Sequence, residues 1–261
     1  MRMIFDKISL DRIDMEGTID RIADALAESP THSFHIVTPN AQFVQIARSD
    51  SRFATIVQRA DLSVADGVPL LWASRLLGTP LPGRVNGTDL MVRLAAEAAQ
   101  RGWRTYFFGG RPGAAESAAA VLRATNPALR IAGVDCPAID FMLDARLDFL
   151  AAERIRKAAP HILFVALGAP KQEIWISEHR DLPVGVMLGV GGSFELVAGI
   201  TRRAPACFQR SGCEWFWRLA MEPKRMWKRY LVGNSLFLSI LLRLCIQKIF
   251  SFEHQPAGVA E

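Results

Sequence analysis

The chain is short of the residues that metal and thiol chemistry require. Its 261 residues include four cysteines (Cys136, Cys207, Cys213 and Cys245), with no CxxC pair and no histidine at metal-ligand spacing. That usage predicts reduced, buried thiols of a cytosolic protein. The five histidines (His32, His35, His161, His179 and His254) are scattered, no DxD occurs, and no serine sits in a nucleophile elbow. Metal-dependent chemistry and Ser-His hydrolysis are therefore unsupported. The opening Met1-Arg2-Met3-Ile4-Phe5-Asp6 lacks the long apolar core of a signal peptide, which predicts a protein that stays on the side where it is made. Tandem repeats and low-complexity tracts are also missing.

Charge and hydrophobicity are present in quantity. Half of the residues are hydrophobic, enough for one large α/β domain or one domain with an appendage. Residues 1–200 carry 21 Lys/Arg and 22 Asp/Glu, whereas residues 201–250 carry 10 Lys/Arg and only Glu214 and Glu222 as acids. A nearly neutral body with a basic tail segment calls for a polyanionic partner at that segment alone. The same segment is the most apolar part of the chain, so an anionic membrane surface fits better than nucleic acid.

Apolar periodicity predicts strands alternating with helices. An edge strand is expected within Ile4–Leu10, then a helix over Met15–Ala27 capped by Asp14. Strands follow at Phe34–Val37, Leu62–Ala65, Thr105–Phe108, Arg130–Val134, Ile162–Leu167 and Val184–Val190. Helices are expected over Ala41–Arg48, Val68–Leu77, Asp89–Arg101, Ala114–Arg123, Arg146–Ala158 and Lys171–His179. Such alternation implies βαβ units, a mostly parallel sheet and helices on both faces. Near residue 200 the pattern turns to Trp- and Arg-rich helical sequence. This divides the chain into an α/β domain over 1–200 and a basic, aromatic-rich helical appendage over 201–261.

Several strand ends carry chemistry. Asp66-Gly67 follows Leu62–Ala65, which puts a carboxylate at the sheet's carboxyl edge, where open α/β sheets bind ligands. A carboxylate there can take a proton from an incoming hydroxyl, although Asp-Gly is equally a turn dipeptide. Gly109-Gly110-Arg111-Pro112-Gly113 lies between a strand and a helix, either as a phosphate cradle or as a plain turn; it is not GxGxxG. Gly168-Ala169-Pro170-Lys171-Gln172-Glu173 sets Pro170 at a helix start. Lys171 in that first turn opposes the helix dipole, Gln172 suits a sugar or nucleotide, and Glu173 reads as an ordinary N-terminal helix charge. In Gly189-Val190-Gly191-Gly192-Ser193-Phe194-Glu195 the glycines imply close backbone approach, to a ligand or to a neighbouring helix.

In the tail, Arg218, Glu222, Arg225 and Arg229 fall at helical spacing, interrupted by Pro223 and interleaved with Trp215, Trp217, Trp227 and Tyr230. This composition describes a membrane-interface element, a polyphosphate site or a solvated helix with a packed aromatic face. Leu231–Phe250 is apolar but contains Asn234, Arg243, Gln247 and Lys248. A spanning helix needs about 20 apolar residues without central charges, so this stretch predicts a surface-lying helix or a cover for an apolar domain or oligomer surface.

Eight elements in order, Thr38-Pro39-Asn40, Asp66-Gly67, Arg84-Val85-Asn86-Gly87-Thr88-Asp89-Leu90, Phe108-Gly109-Gly110, Gly168 to Glu173, Gly189 to Phe194, Arg203-Ala204-Pro205 and Glu214-Trp215-Phe216-Trp217-Arg218-Leu219, closely resemble the WecG/TagA/CpsF glycosyltransferase family (glycosyltransferase family 26). The resemblance runs from about residue 34 to residue 230. It implies a Rossmann-like core and an inverting transferase with no cofactor and no metal. Such an enzyme would move a sugar from a UDP-sugar to a polyprenyl-diphosphate-linked saccharide during exopolysaccharide or cell-surface polysaccharide assembly. It further implies a tail that meets the cytoplasmic face of the inner membrane, and assembly into a homo-oligomer.

By matched position, Asp66 is the implied base, with Thr38 beside it in the catalytic pair. Asn40, Arg84, Asn86, Gly109, Gly110, Lys171, Gln172, Gly191 and Gly192 form the implied binding set. Arg218 and Arg225 would reach the diphosphate, and helical spacing extends that row to Arg229. Two departures from the family pattern stand out: Asp135-Cys136-Pro137-Ala138-Ile139-Asp140 replaces a Gly-Tyr-Phe-like element, and Asn86 stands where a smaller residue is common. Two other readings belong beside this one: an NAD(P)-dependent enzyme on a similar sheet, and a non-catalytic scaffold of a polysaccharide-assembly complex.

Overall fold

The computed structural model describes residues 2–28, 32–138, 140–205, 208, 214–221, 235 and 237–246. Strands β1 (Arg2–Phe5) and β2 (Ile8–Asp11) form an antiparallel hairpin, where one edge strand was expected. Asp6 turns the chain at φ 53°, a left-handed conformation that aspartate tolerates better than most residues. The turn lets Met3, Phe5, Ile8 and Leu10 all face the core.

The main body follows as α1 (Met15–Glu28), β3 (Phe34–Val37), α2 (Ala41–Ser49), α3 (Ser51–Arg59), β4 (Leu62–Ser63), α4 (Val68–Leu76), α5 (Gly87–Arg101), β5 (Arg104–Gly109), α6 (Ala114–Thr125), β6 (Arg130–Asp135), α7 (Ala145–Ala158), β7 (Ile162–Ala166), α8 (Lys171–Glu178), β8 (Val186–Gly189) and α9 (Ser193–Val197). Helix α3 has no counterpart among the expected elements. Asp50 both ends α2, its N–H bonding the Ile46 carbonyl at 2.8 Å, and starts α3, its side chain accepting from the Phe53 N–H at 3.0 Å.

The six main strands are parallel, in the order β4-β3-β8-β7-β5-β6. Alternate side chains of each strand enter different cores. Ile36, Leu62, Phe107, Phe164 and Leu188 pack with α1, α5, α6 and α9 on one face. Tyr106, Phe108, Leu163, Val165 and Met187 pack with α7 and α8 on the other, beside a third cluster built on α2, α3, α4 and the hairpin. Neighbouring strands β3 and β8 pass the chain to opposite faces, and so do β7 and β5. Where loops diverge in this way, an open α/β sheet has its ligand crevice along the carboxyl edge.

The tail is described in part. Residues Glu214–Met221 are helical, as are residues 237–246. Phe237 and Ile240 are buried in the hairpin cluster, with Phe237 stacked on Phe5 at 5.0 Å between ring centroids. Leu238, Leu242 and Ile246 form an outward row at 63%, 63% and 44% exposure. This helix therefore covers a domain surface with one side and presents leucines on the other. No helix among the described residues is long and apolar enough to cross a membrane.

Candidate active site

Asp66 stands at the end of β4, where its N–H bonds the Pro39 carbonyl at 2.9 Å and so ties it to the end of β3. The Val85 N–H bonds the Ala65 carbonyl at 2.9 Å, drawing the Arg84–Asn86 loop against the carboxylate. Asn86 Nδ2 donates to Asp66 Oδ1 at 2.7 Å, and Arg84 Nε lies 3.9 Å from the same oxygen. Asn86 is the N-cap of α5, with Oδ1 accepting from the Thr88 and Asp89 N–H groups at 3.0 and 3.2 Å. Those two donors fix the amide's orientation, so its NH2 can only face the carboxylate. The Asp66 side chain remains 22% exposed, open to the crevice.

A second hydrogen-bonded cluster fills the edge between β7 and β8. Gln172 is 3% exposed, and its Oε1 accepts from both the Gly168 and Gly191 N–H groups at 3.0 Å. Its Nε2 donates to Glu173 Oε1 at 2.7 Å. A Cβ at Gly189 would come within 2.4 Å of that nitrogen, so this glycine exists for a neighbouring helix. The Thr88 and Ser193 hydroxyls meet at 2.8 Å, and Ser193 donates to the Val190 carbonyl at 2.6 Å. Through that pair the start of α5 is joined to the β8 loop. Polar contacts thus run from Asp66 across the crevice to Glu173.

A model of the glycosyl transferase WecG/TagA/CpsF family matches residues 3–250. The chain belongs to this family. It is 32% identical over 225 residues to a Bacillus spizizenii protein named N-acetylglucosaminyldiphosphoundecaprenol N-acetyl-beta-D-mannosaminyltransferase, covering 85% of this chain and 84% of that one. Proteins of the same name from Bacillus subtilis and Staphylococcus aureus are each 31% identical. Those matches cover 79% and 84% of this chain, and 78% and 84% of the relatives. The chain is thus a glycosyltransferase enzyme.

In this WecG/TagA/CpsF transferase the expected site residues divide by role. Asp66, Arg84 and Asn86 converge. Thr38 is buried at the end of β3, where a Cβ on Gly87 would lie 3.4 Å from its hydroxyl. Asn40 is the N-cap of α2, accepting from the Gln42 and Phe43 N–H groups at 2.9 and 3.4 Å. Lys171 is exposed at the first turn of α8. Gly109 and Gly110 have positive φ, and Cβ atoms there would meet the Ala166 carbonyl oxygen at 2.9 Å and Phe194 at 3.0 Å. Close packing therefore accounts for both glycines. Gly191 supplies its N–H to Gln172, and Gly192 leads into α9. Helix Glu214–Met221 contains the backbone of Arg218; its side chain, Arg225 and Arg229 lie outside the described residues.

The departing segment after β6 lies against the Gly109-Gly110 loop: Cys136 Sγ donates to the Gly110 carbonyl at 3.3 Å, and Phe141 packs edge-on to Phe108 at 5.5 Å. Ile139 lies outside the described residues. Arg111 N–H donates to Glu195 Oε1 at 3.2 Å, a contact that sequence pattern did not anticipate.

Glu173 corrects the expectation of an ordinary helix charge. It is 1% exposed, and burial pushes its carboxyl up to about 8, with the Gln172 amide and its own backbone N–H acting in the opposite sense. Glu173 shares a helical face with Ile176, three residues on, and the packing of α8 buries both. A folded pKa raised from 4.5 means that the folded state holds a proton the unfolded chain releases. The associated stability is complete below about 4.5 and falls as pH rises toward about 8. Each unit is worth about 1.4 kcal/mol. Glu173→Gln, which cannot titrate, should therefore gain Tm over wild type progressively from pH 5 to pH 8. A Tm difference independent of pH would show that Glu173 does not keep its proton.

Proposed function

We propose that the chain transfers a sugar from a UDP-sugar to a polyprenyl-diphosphate-linked saccharide in cell-surface polysaccharide assembly, inverting the anomeric centre without a metal ion. The observation that carries this reading is Asp66, held by Asn86 and faced by Arg84 at the open end of the crevice, in a family whose relatives bear the name of a diphosphoundecaprenol-directed mannosaminyltransferase. In this mechanism an acceptor hydroxyl hydrogen-bonds Asp66 and attacks the anomeric carbon from the face opposite the departing UDP. The C–O bond to the diphosphate breaks, and Asp66 accepts the hydroxyl proton as that group acidifies in the transition state. The sequence has no DxD to hold a cation. The diphosphate's growing charge is instead met by arginines, Arg84 in the crevice and Arg218, Arg225 and Arg229 from the tail.

Residues 201–261 act in this reading as a membrane-meeting appendage, bringing those arginines to the lipid-linked acceptor. The outward row Leu238, Leu242 and Ile246 on a basic segment supports that role. One experiment tests both parts. The full-length protein is mixed with vesicles of anionic phospholipid carrying N-acetylglucosaminyl-diphosphoundecaprenol, given UDP-N-acetylmannosamine or other UDP-hexoses in EDTA, floated, and assayed for transfer. Co-flotation and labelled lipid are expected, and Leu238→Glu with Leu242→Glu should reduce flotation at unchanged Tm. Absence of transfer from every UDP-hexose, together with no thermal protection by UDP, would sink the transferase chemistry. Flotation unaffected by the double substitution would sink the membrane face.

A further inference from the structure

Between β7 and β8 the crevice floor is made of two loops that would otherwise be independent, Gly168-Ala169-Pro170 and Val190-Gly191-Gly192. Neither loop bonds the other through its backbone among the described contacts. One oxygen, Gln172 Oε1, takes an N–H from each at 3.0 Å. An amide has two ends, and rotation by half a turn would present its NH2 to those same two donors, breaking both bonds. The two donors set the orientation, and the other end is anchored in turn: Gln172 Nε2 donates to Glu173 Oε1 at 2.7 Å. We propose that Glu173 is a positioning residue of the transferase site, acting through Gln172 to lock the Gly168 and Gly191 loops at the spacing the donor substrate needs.

This proposal rests on the reading that the donor occupies the carboxyl-edge crevice. Three features support it over a plain packing role. The carboxyl is buried where a hydrophobic side chain would pack at lower cost, and its Oε2 has no hydrogen-bond partner among the described residues. An unsatisfied buried oxygen is a local conflict of the kind found where function overrides stability. Gly189 has no side chain, and a Cβ there would lie 3.0 Å from Glu173 Oε1 and 2.4 Å from Gln172 Nε2. The strand itself therefore makes room for the pair. Finally, the acid sits one residue from the amide it orients, in the first turn of α8, so both move as a unit with the helix start.

Burial keeps the acid largely neutral near pH 7; among the described residues, Gln172's amide and its own backbone N–H are the opposing influences. A neutral acid and a glutamine offer the same shape and the same acceptor oxygen. Glu173→Gln should therefore preserve the lock, whereas Glu173→Ala removes the acceptor that anchors the Gln172 NH2 and loosens the amide against both loops.

The test compares the full-length wild type, Glu173→Gln and Glu173→Ala by amide hydrogen exchange and by UDP titration. In Glu173→Ala, exchange at Gly168 and Gly191 should speed up at least about tenfold while α6 keeps its protection, and UDP should bind about tenfold more weakly. Glu173→Gln should match wild type in both. Unchanged exchange at the two glycines in Glu173→Ala overturns the proposal, as does Glu173→Gln behaving like alanine or α6 losing protection in parallel. If UDP fails to bind even the wild type, the site reading falls, and the exchange arm alone still decides the role of Glu173.

Discussion

Replacing Asp66 by asparagine is expected to lower kcat about 10²–10⁴-fold, the usual worth of a positioned general base, or about 3–5 kcal/mol of barrier. The substitution is nearly isosteric. Asn86 Nδ2 can still donate to the oxygen at position 66, and the backbone bond to Pro39 is untouched. The side chain is not fully buried, so no large stability cost accompanies the change, and Tm should stay close to that of wild type. UDP affinity should also hold, because the carboxylate serves the acceptor hydroxyl rather than the diphosphate. The loss should therefore appear in kcat with UDP binding intact, measured by transfer to the lipid-linked acceptor and by calorimetric titration. Near-wild-type turnover in this variant would remove Asp66 from the chemistry.

The parallel sheet and most helices could be read from period and punctuation, because these strands, the edge strand β6 apart, are buried on both faces and the helices carry one apolar stripe each. Two features resisted that reading. The β1–β2 hairpin hides its turn at Asp6, where no glycine or Asn-Gly marks it. Helix α3 begins at the residue that ends α2, and a single Asp50 gives both signals at once.

At the site, Asp66 was legible as a carboxylate following a strand, and its company with Arg84 was implied by the family resemblance alone. The roles of the polar side chains around them were not legible. Asn40, Asn86 and Gln172 look alike in sequence, as amides beside loops. Yet Asn40 caps a helix, Asn86 caps one and holds the carboxylate, and Gln172 ties two loops. The two caps are local, each oxygen meeting the N–H groups two and three residues on, but the Asn86–Asp66 and Gln172–Gly191 contacts need distant segments brought together, and no local spacing encodes those. Glu173 was misread for the same reason: a carboxylate in a first helical turn is ordinarily solvated, and only the packing of α8 between β7, β8 and α3 buries this one.

Asn86→Asp separates the two jobs of Asn86 and should expose the electrostatics of the base. Aspartate is as good an N-cap as asparagine, so α5 should keep its start, its Thr88 and Asp89 bonds and its Tm. The atom facing Asp66 at 2.7 Å, however, changes from an N–H donor to a carboxylate oxygen. Two carboxylates that close cannot both ionise freely, and the pair retains one proton to a higher pH than either would alone. While that proton is shared, Asp66 cannot accept another from the acceptor hydroxyl. The rate in Asn86→Asp should accordingly fall at least about tenfold at pH 6 and climb as pH rises through the pair's upper titration. Wild type should show no such limb across the same range. Asn86→Ala makes the opposite exchange: it loses the cap, at about 1 kcal/mol of stability, and leaves no second carboxylate, so its Tm should drop while its pH profile keeps the wild-type shape. A pH profile in Asn86→Asp that superimposes on wild type would reduce Asn86 to a helix cap.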